Sequence, residues 1–249
     1  RLATDGTAKV GIGIGIATPL TKKLEVLGDI LVNGITVGRG TGDVPSNTAM
    51  GKDALKSNTT GNVNTAIGYQ SLYSNNTGSY NTASGYQALY SNATGGVSNT
   101  ANGASALRTN NNGVFNTATG VDALRSNTSG SYNTAVGANA LYTNAGSGAN
   151  SSSNTAVGFQ SLFGNTLGYF NTASGVDTLK ANTTGNYNTA SGYRSLYGNT
   201  TSFYNTAYGA RTLMSNISNI SGYNTAVGYE ALLANTCSYI TATGASALT

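Results

Sequence analysis

The chain offers few groups that could do chemistry. It holds eight acidic residues, one cysteine and no histidine. Four of the acids, Asp53, Asp122, Asp177 and Glu230, recur at one position of a repeated segment, where other copies carry Gln70, Gln87, Asn139, Arg194 or Arg211. A glycosidase-type pair needs carboxylates about 5–10 Å apart. A position that accepts both Asp and Arg reads instead as a solvated face. Without histidine, neither a Ser-His triad nor a usual transition-metal site can be assembled. Gly11-Ile-Gly-Ile-Gly15 matches a fragment of a phosphate loop but lacks the Lys-Ser/Thr and the helix that complete one. The expectation is therefore no catalytic residue, no metal, no cofactor and no enzymatic activity. Cys237 can form no intrachain disulfide and reads as a small turn residue.

Two other residue types recur at fixed places. Tyr69, Tyr86 and Tyr193 share one repeat position, and Tyr73, Tyr90 and Tyr197 another. Stacked copies would make outward aromatic stripes able to contact glycans or a neighbouring fibre, or simply pack on their own ladder. Asn58, Asn75, Asn92, Asn127, Asn182 and Asn199 open Asn-x-Ser/Thr acceptors at a common position, so glycosylation of one edge is a candidate. The competing reading is a turn that wants Asn, because the same Asn persists without an acceptor context at Asn110, Asn144 and Asn165.

These residues are positioned by a repeat. Asn-Thr-Ala starts eleven times between Asn47 and Asn224, and seven of the ten intervals are 17 residues, the others being 18, 21 and 19. A degenerate copy begins near Thr241. A fixed period this short predicts a solenoid of stacked coils. Numbering each coil from its Asn, position 3 is Ala, 5 is Gly, 8 is Ala, Ser or Thr, 9 is Leu and 12 is Asn. Ala66, Gly68, Leu72 and Asn75 carry these roles in one coil; Ala83, Gly85, Leu89 and Asn92 carry them in the next. Asn-Thr-Ala-x-Gly and x-Ala/Ser-Leu-x read as two short strands per coil, with Ala and Leu inward and Gly at the corner. The residue before each Asn-Thr-Ala, usually aromatic, reads as an addition to the interior. Asn at position 12 predicts an axial amide ladder. The fold expected is all-β, a parallel β-solenoid over residues 47–249. Its invariant apolar set is thin against a backbone ordering cost of roughly 1–2 kcal/mol per residue, which argues for chains that stabilise one another.

Residues 1–46 stand outside the repeat and read as a β-rich connector or assembly segment. Val10 to Ile16 alternates apolar residues with glycine, Pro19 interrupts, and Asn33-Gly34 signals a tight turn. Val10-Gly-Ile-Gly, Pro19, Leu24-Glu-Val, Gly28-Asp29-Ile30 and Asn33-Gly34, followed by Asn-Thr-Ala-x-Gly-x-x-Ala/Ser-Leu units, resemble phage tail fibres and related bacterial fibre proteins. Such fibres often end in a self-cleaving chaperone domain of the endosialidase type. The repeat also resembles, more loosely, the head β-rolls of trimeric autotransporter adhesins, whose unit is shorter. These resemblances imply a homotrimer and an extracellular, cell-surface or virion location.

Only 8% of residues are charged, and the net charge of +4 is spread over single residues. That distribution argues against a nucleic-acid partner, and no run reaches the ~18 apolar residues of a membrane span. The function expected is a structural fibre shaft whose partner is itself. The alternatives are a receptor- or glycan-binding module, or a subunit of a filament joined end to end through its N-terminal segment.

Overall fold

The computed structural model describes residues 29–144, 152–216 and 222–249. The alternating Val10–Ile16 segment and most of the two long insertions, 145–151 and 217–221, lie outside the described residues. Among those described there is no helix. One fourteen-stranded sheet runs through the molecule. It opens with an antiparallel hairpin, β1 (Ile30–Val32) and β2 (Ile35–Gly38), turning at Asn33-Gly34. β2 then pairs antiparallel with β3 (Thr48–Gly51), the first strand of the solenoid. The connector therefore continues the solenoid sheet at its first edge. Asp29 fixes the join, its carboxylate accepting the backbone N–H groups of Arg39 and Gly40 at 2.6 and 3.0 Å.

From β3 onward every sheet neighbour is parallel and one coil away. Thr48, Thr65 and Thr82 lie side by side, as do Ala49, Ala66 and Ala83, and this register holds to Thr241–Thr243 across the 18-, 21- and 19-residue intervals. Eleven steps of about 4.8 Å give a stack on the order of 50 Å long.

Each coil contributes one strand to this sheet, not two. The x-Ala/Ser-Leu-x segment is a succession of turns, in which Gln70 and Leu72 take φ of +54° and +48°. Among the described residues a second short ladder forms only near the end, between Ser215–Asn216 and Ala234–Asn235, with a single bridge between Ser91 and Thr109. A third residue, the one preceding Asn-Thr-Ala, is also left-handed, as at Tyr80 with φ +60°. Such a conformation costs a non-glycine residue about 1–2 kcal/mol. It persists because each of these residues gives its N–H to a neighbouring coil. Gln70 donates to Lys52 O at 2.9 Å, Leu72 to Ala88 O at 3.0 Å and Tyr80 to Asn62 O at 3.0 Å. The backbone thus keeps its coil-to-coil hydrogen bonds through segments that are not strands.

Glycine at position 5 is required by space as well as by torsion. Gly120 has φ +127°. A Cβ there would lie 2.7 Å from both the carbonyl carbon and oxygen of Gly137 in the next coil.

The interior is filled by one chain. Leucines from Leu55 to Leu213 are fully buried, with Ala of position 3 and the Ala, Ser or Thr of position 8 beside them. Asparagine occupies the rest of the interior. Two columns run along it, Asn47 to Asn224 at position 1 and Asn58 to Asn235 at position 12, all buried. At position 1 each side-chain oxygen accepts the backbone N–H of the next Asn, as from Asn116 N to Asn99 Oδ1 at 2.9 Å. At position 12 the amides bond to one another, as from Asn127 Nδ2 to Asn110 Oδ1 at 2.7 Å. The columns meet on one carbonyl per coil. Gly130 O accepts Asn116 Nδ2 and Asn127 Nδ2, both at 2.8 Å. A buried amide needs such satisfaction, and each bond then contributes about 1 kcal/mol net.

Candidate interaction surfaces

The acids singled out by spacing are placed in ion pairs. Asp53 meets Lys56 at 3.0 Å, Asp122 meets Arg125 at 3.3 Å, and Asp177 meets Lys180 at 2.9 Å and Arg194 at 3.5 Å. Glu230 pairs with Arg211 of the preceding coil. Position 7 tolerates either sign because position 10, or position 7 of an adjacent coil, supplies the partner. Asp53 also holds the Lys56 ammonium above its ordinary pKa, through their hydrogen bond first and then its charge. Among the described residues no cluster of three His, Cys, Asp or Glu could hold a metal ion. Among them, too, no helix is long and apolar enough to cross a membrane.

The tyrosines named from sequence divide into two sets. Tyr69, Tyr86 and Tyr193 are exposed, and Tyr69 and Tyr86 stack at 5.5 Å between centroids. Tyr73, Tyr90 and Tyr197 are half-buried. Tyr73 and Tyr90 stack at 5.0 Å, and Lys56, Arg108, Lys180 and Arg194 lie over these rings within 5.3 to 5.8 Å. Each of these rings thus has a face against another ring or a cation, Arg194 serving Tyr193 at 5.1 Å.

A longer aromatic column lies on the outside, contrary to the expectation that it adds to the interior. The residues before Asn-Thr-Ala lie on the outside, where the chain turns through a left-handed residue just ahead of each strand. Phe170, Tyr187, Tyr204, Tyr223 and Tyr239 form one continuous stack with centroids 4.7 to 5.1 Å apart. Their exposure runs from 40 to 77%. Inward Ala at position 3 signals inward Asn at position 1, but the residue before it is left-handed and lies outside the strand, so alternation does not extend to it.

The acceptor asparagines lie inside the solenoid. Asn58, Asn75, Asn92, Asn127, Asn182 and Asn199 are at most 2% exposed. Nδ2 of Asn75 gives its hydrogens to Asn58 Oδ1 and Gly78 O, each at 2.9 Å. The same two bonds recur at Asn92, Asn127, Asn182 and Asn199. A glycan on that nitrogen has neither a hydrogen to replace nor room to leave, so the folded coil accounts for these asparagines as ladder and turn residues. Cys237 also serves a turn. Its carbonyl accepts Asn224 and Asn235 Nδ2 at 3.1 and 2.8 Å, in the place held by Gly61, Gly130 or Gly185 in other coils and by Ser202 in one.

Fold and surface together define a parallel β-solenoid with an amide-filled interior and segregated exterior columns. No protein-family model, no curated protein and no solved structure matches the chain.

Proposed function

We propose that this chain is a structural module, a stiff length of an extracellular or virion fibre shaft, working as a homotrimer. The observation that carries the reading is the unbroken parallel register from Thr48 to Thr243 together with the amide columns beneath it. Every coil is bonded to the next by strand, turn and side-chain hydrogen bonds, so bending must strain several ladders at once. The paired charges and amide-filled interior suit a mechanical element, and the resemblance of the repeat to fibre proteins points the same way. Glycan recognition is the weaker reading, because a stacked ring or an overlying cation takes up a face of Tyr69, Tyr73, Tyr86, Tyr90, Tyr193 and Tyr197. Small-angle scattering with electron microscopy tests the proposal. The expected particle is elongated, with a uniform core on the order of 50 Å per chain along its axis, and resists protease over residues 47–249. A compact particle cut readily within the repeats would refute it.

A further inference from the structure

We propose that the sheet face formed by positions 17, 2 and 4 of the coils is the surface on which another copy of this chain packs. The proposal rests on the fibre reading and assigns its contact surface.

Charge distribution is the first observation. All eleven charged residues of the repeats, from Lys52 to Glu230, fall at positions 6, 7 and 10. No charge occurs in the other columns. Position 17 runs from Ser46 to Tyr239, position 2 is Thr throughout, and position 4 runs from Met50 to Thr243. The buried cores of protein interfaces are depleted in charged side chains, lysine included. Here lysine and arginine are confined to one edge of the rod, and the broad sheet face has none.

What that face shows is the second observation. Met50, Ile67, Val136, Val157, Tyr208 and Val227 are 39 to 48% exposed at position 4. They stand beside the threonine column, with the aromatic stack on its other side. The strand backbones beneath are bonded within the sheet, so a partner meets side chains only.

Area and period select the occupant. The face is about 50 Å long and about 13 Å across positions 17 to 4, of which the last three are strand. Two copies would cover on the order of 1,300 Å², within the range of specific interfaces. Its features repeat at one strand spacing over the whole length, and a surface of the same period over that length is what a second copy provides. The two long insertions enter their coils after position 12, so they do not interrupt positions 2 and 4.

The test uses the full chain and charge-matched pairs. One variant carries Val136→Lys and Val157→Lys on the face. The other carries Ala104→Lys and Ala138→Lys at position 6, where Lys52 already stands. Sedimentation velocity over a concentration series reads association. The expected result is associated wild type, an edge variant that matches it, and a face variant at least about ten-fold weaker, as for a charge buried without a partner. Equal weakening of both variants would assign the effect to net charge, and no weakening of the face variant would place the contact elsewhere. Either overturns the proposal. Footprinting of the unmodified protein covers a face variant that fails to fold. Protection of Val157, Tyr208 and Val227 must rise with concentration while Tyr193 and Tyr229 stay constant, and the absence of that contrast also overturns it. An elongated wild-type particle that stays monomeric refutes this inference and the homotrimer with it but leaves the stiff solenoid shaft, whereas a compact particle refutes the shaft itself.

Discussion

Substituting alanine for the corner glycine of a central coil separates two causes that the repeat presents together. At Gly120 a Cβ must meet the backbone of Gly137 at 2.7 Å, and φ is +127°. The torsion alone costs an L-residue about 1–3 kcal/mol. Forcing two backbones apart in a close-packed stack adds about 1–3 kcal/mol more. The sum, about 2–6 kcal/mol, is large because Gly120 has coils on both sides and each coil is stabilised through its neighbours. Gly244 provides the comparison. Its φ is +126°, yet the nearest atom to an added methyl would be Ala247 Cβ at 4.0 Å. Gly244→Ala therefore bears the torsional part alone, about 1–3 kcal/mol. Thermal denaturation followed by circular dichroism should show Gly120→Ala melting lower by about 2–4 °C per kcal/mol. Hydrogen exchange should place its loss of protection in the coils on both sides of residue 120, while Gly244→Ala changes the last coil only. If the two variants melt alike and exchange rises only locally in both, the steric contribution is wrongly assigned. If Gly120→Ala is indistinguishable from the unmodified chain, the torsional contribution is wrong as well.

Two further outcomes follow from the asparagine columns. Asn127→Ala removes a donor from Asn110 Oδ1 and an acceptor from Asn144 Nδ2, so urea titration should show a loss of about 2–6 kcal/mol. Asn127→Asp sets a carboxylate against Asn110 Oδ1 and Gly130 O, both acceptors. Burial and these acceptors raise its folded pKa, so its stability is greatest below the unfolded value of about 3.9 and falls as pH rises above it. A pH-independent penalty would contradict the assigned hydrogen bonding. Folded protein from a host that glycosylates Asn-x-Ser/Thr should keep the bare mass of 25.1 kDa, and intact-mass spectrometry finding glycan on Asn75 or Asn127 in a folded chain would refute the ladder.

Much of the fold is readable from recurrence, because one backbone geometry must serve every coil. Ala66, Gly68, Leu72 and Asn75 announce inward, corner and ladder roles through invariance alone. The turns that replace the second strand are not readable. Leu72 at φ +48° defies its own preference, and only the bonds it makes to an adjacent coil sustain it. The outward direction of the aromatic column from Phe170 to Tyr239 is not readable: hydrophobicity suggests the interior, and the left-handed turn at this position lies outside the strand alternation that would correct it. Position 7 cannot be understood one coil at a time. Asp177 and Arg194 look interchangeable in a superposition, and their complementarity emerges only when coils are stacked.

The uniform coil interface also makes the molecule a ruler. Removing 116–132 would join Phe115 directly to Asn133, restoring the same kind of aromatic–Asn junction that it deletes. The Asn99 and Asn133 amides, the Ala and Leu columns and the corner glycines would meet as they do in any other pair of coils. Length can therefore change by whole coils, each about one strand spacing, without redesign of a single contact in the interior. A coil removed or added in this way changes reach along the axis by a single strand spacing and keeps the columns on either side in register.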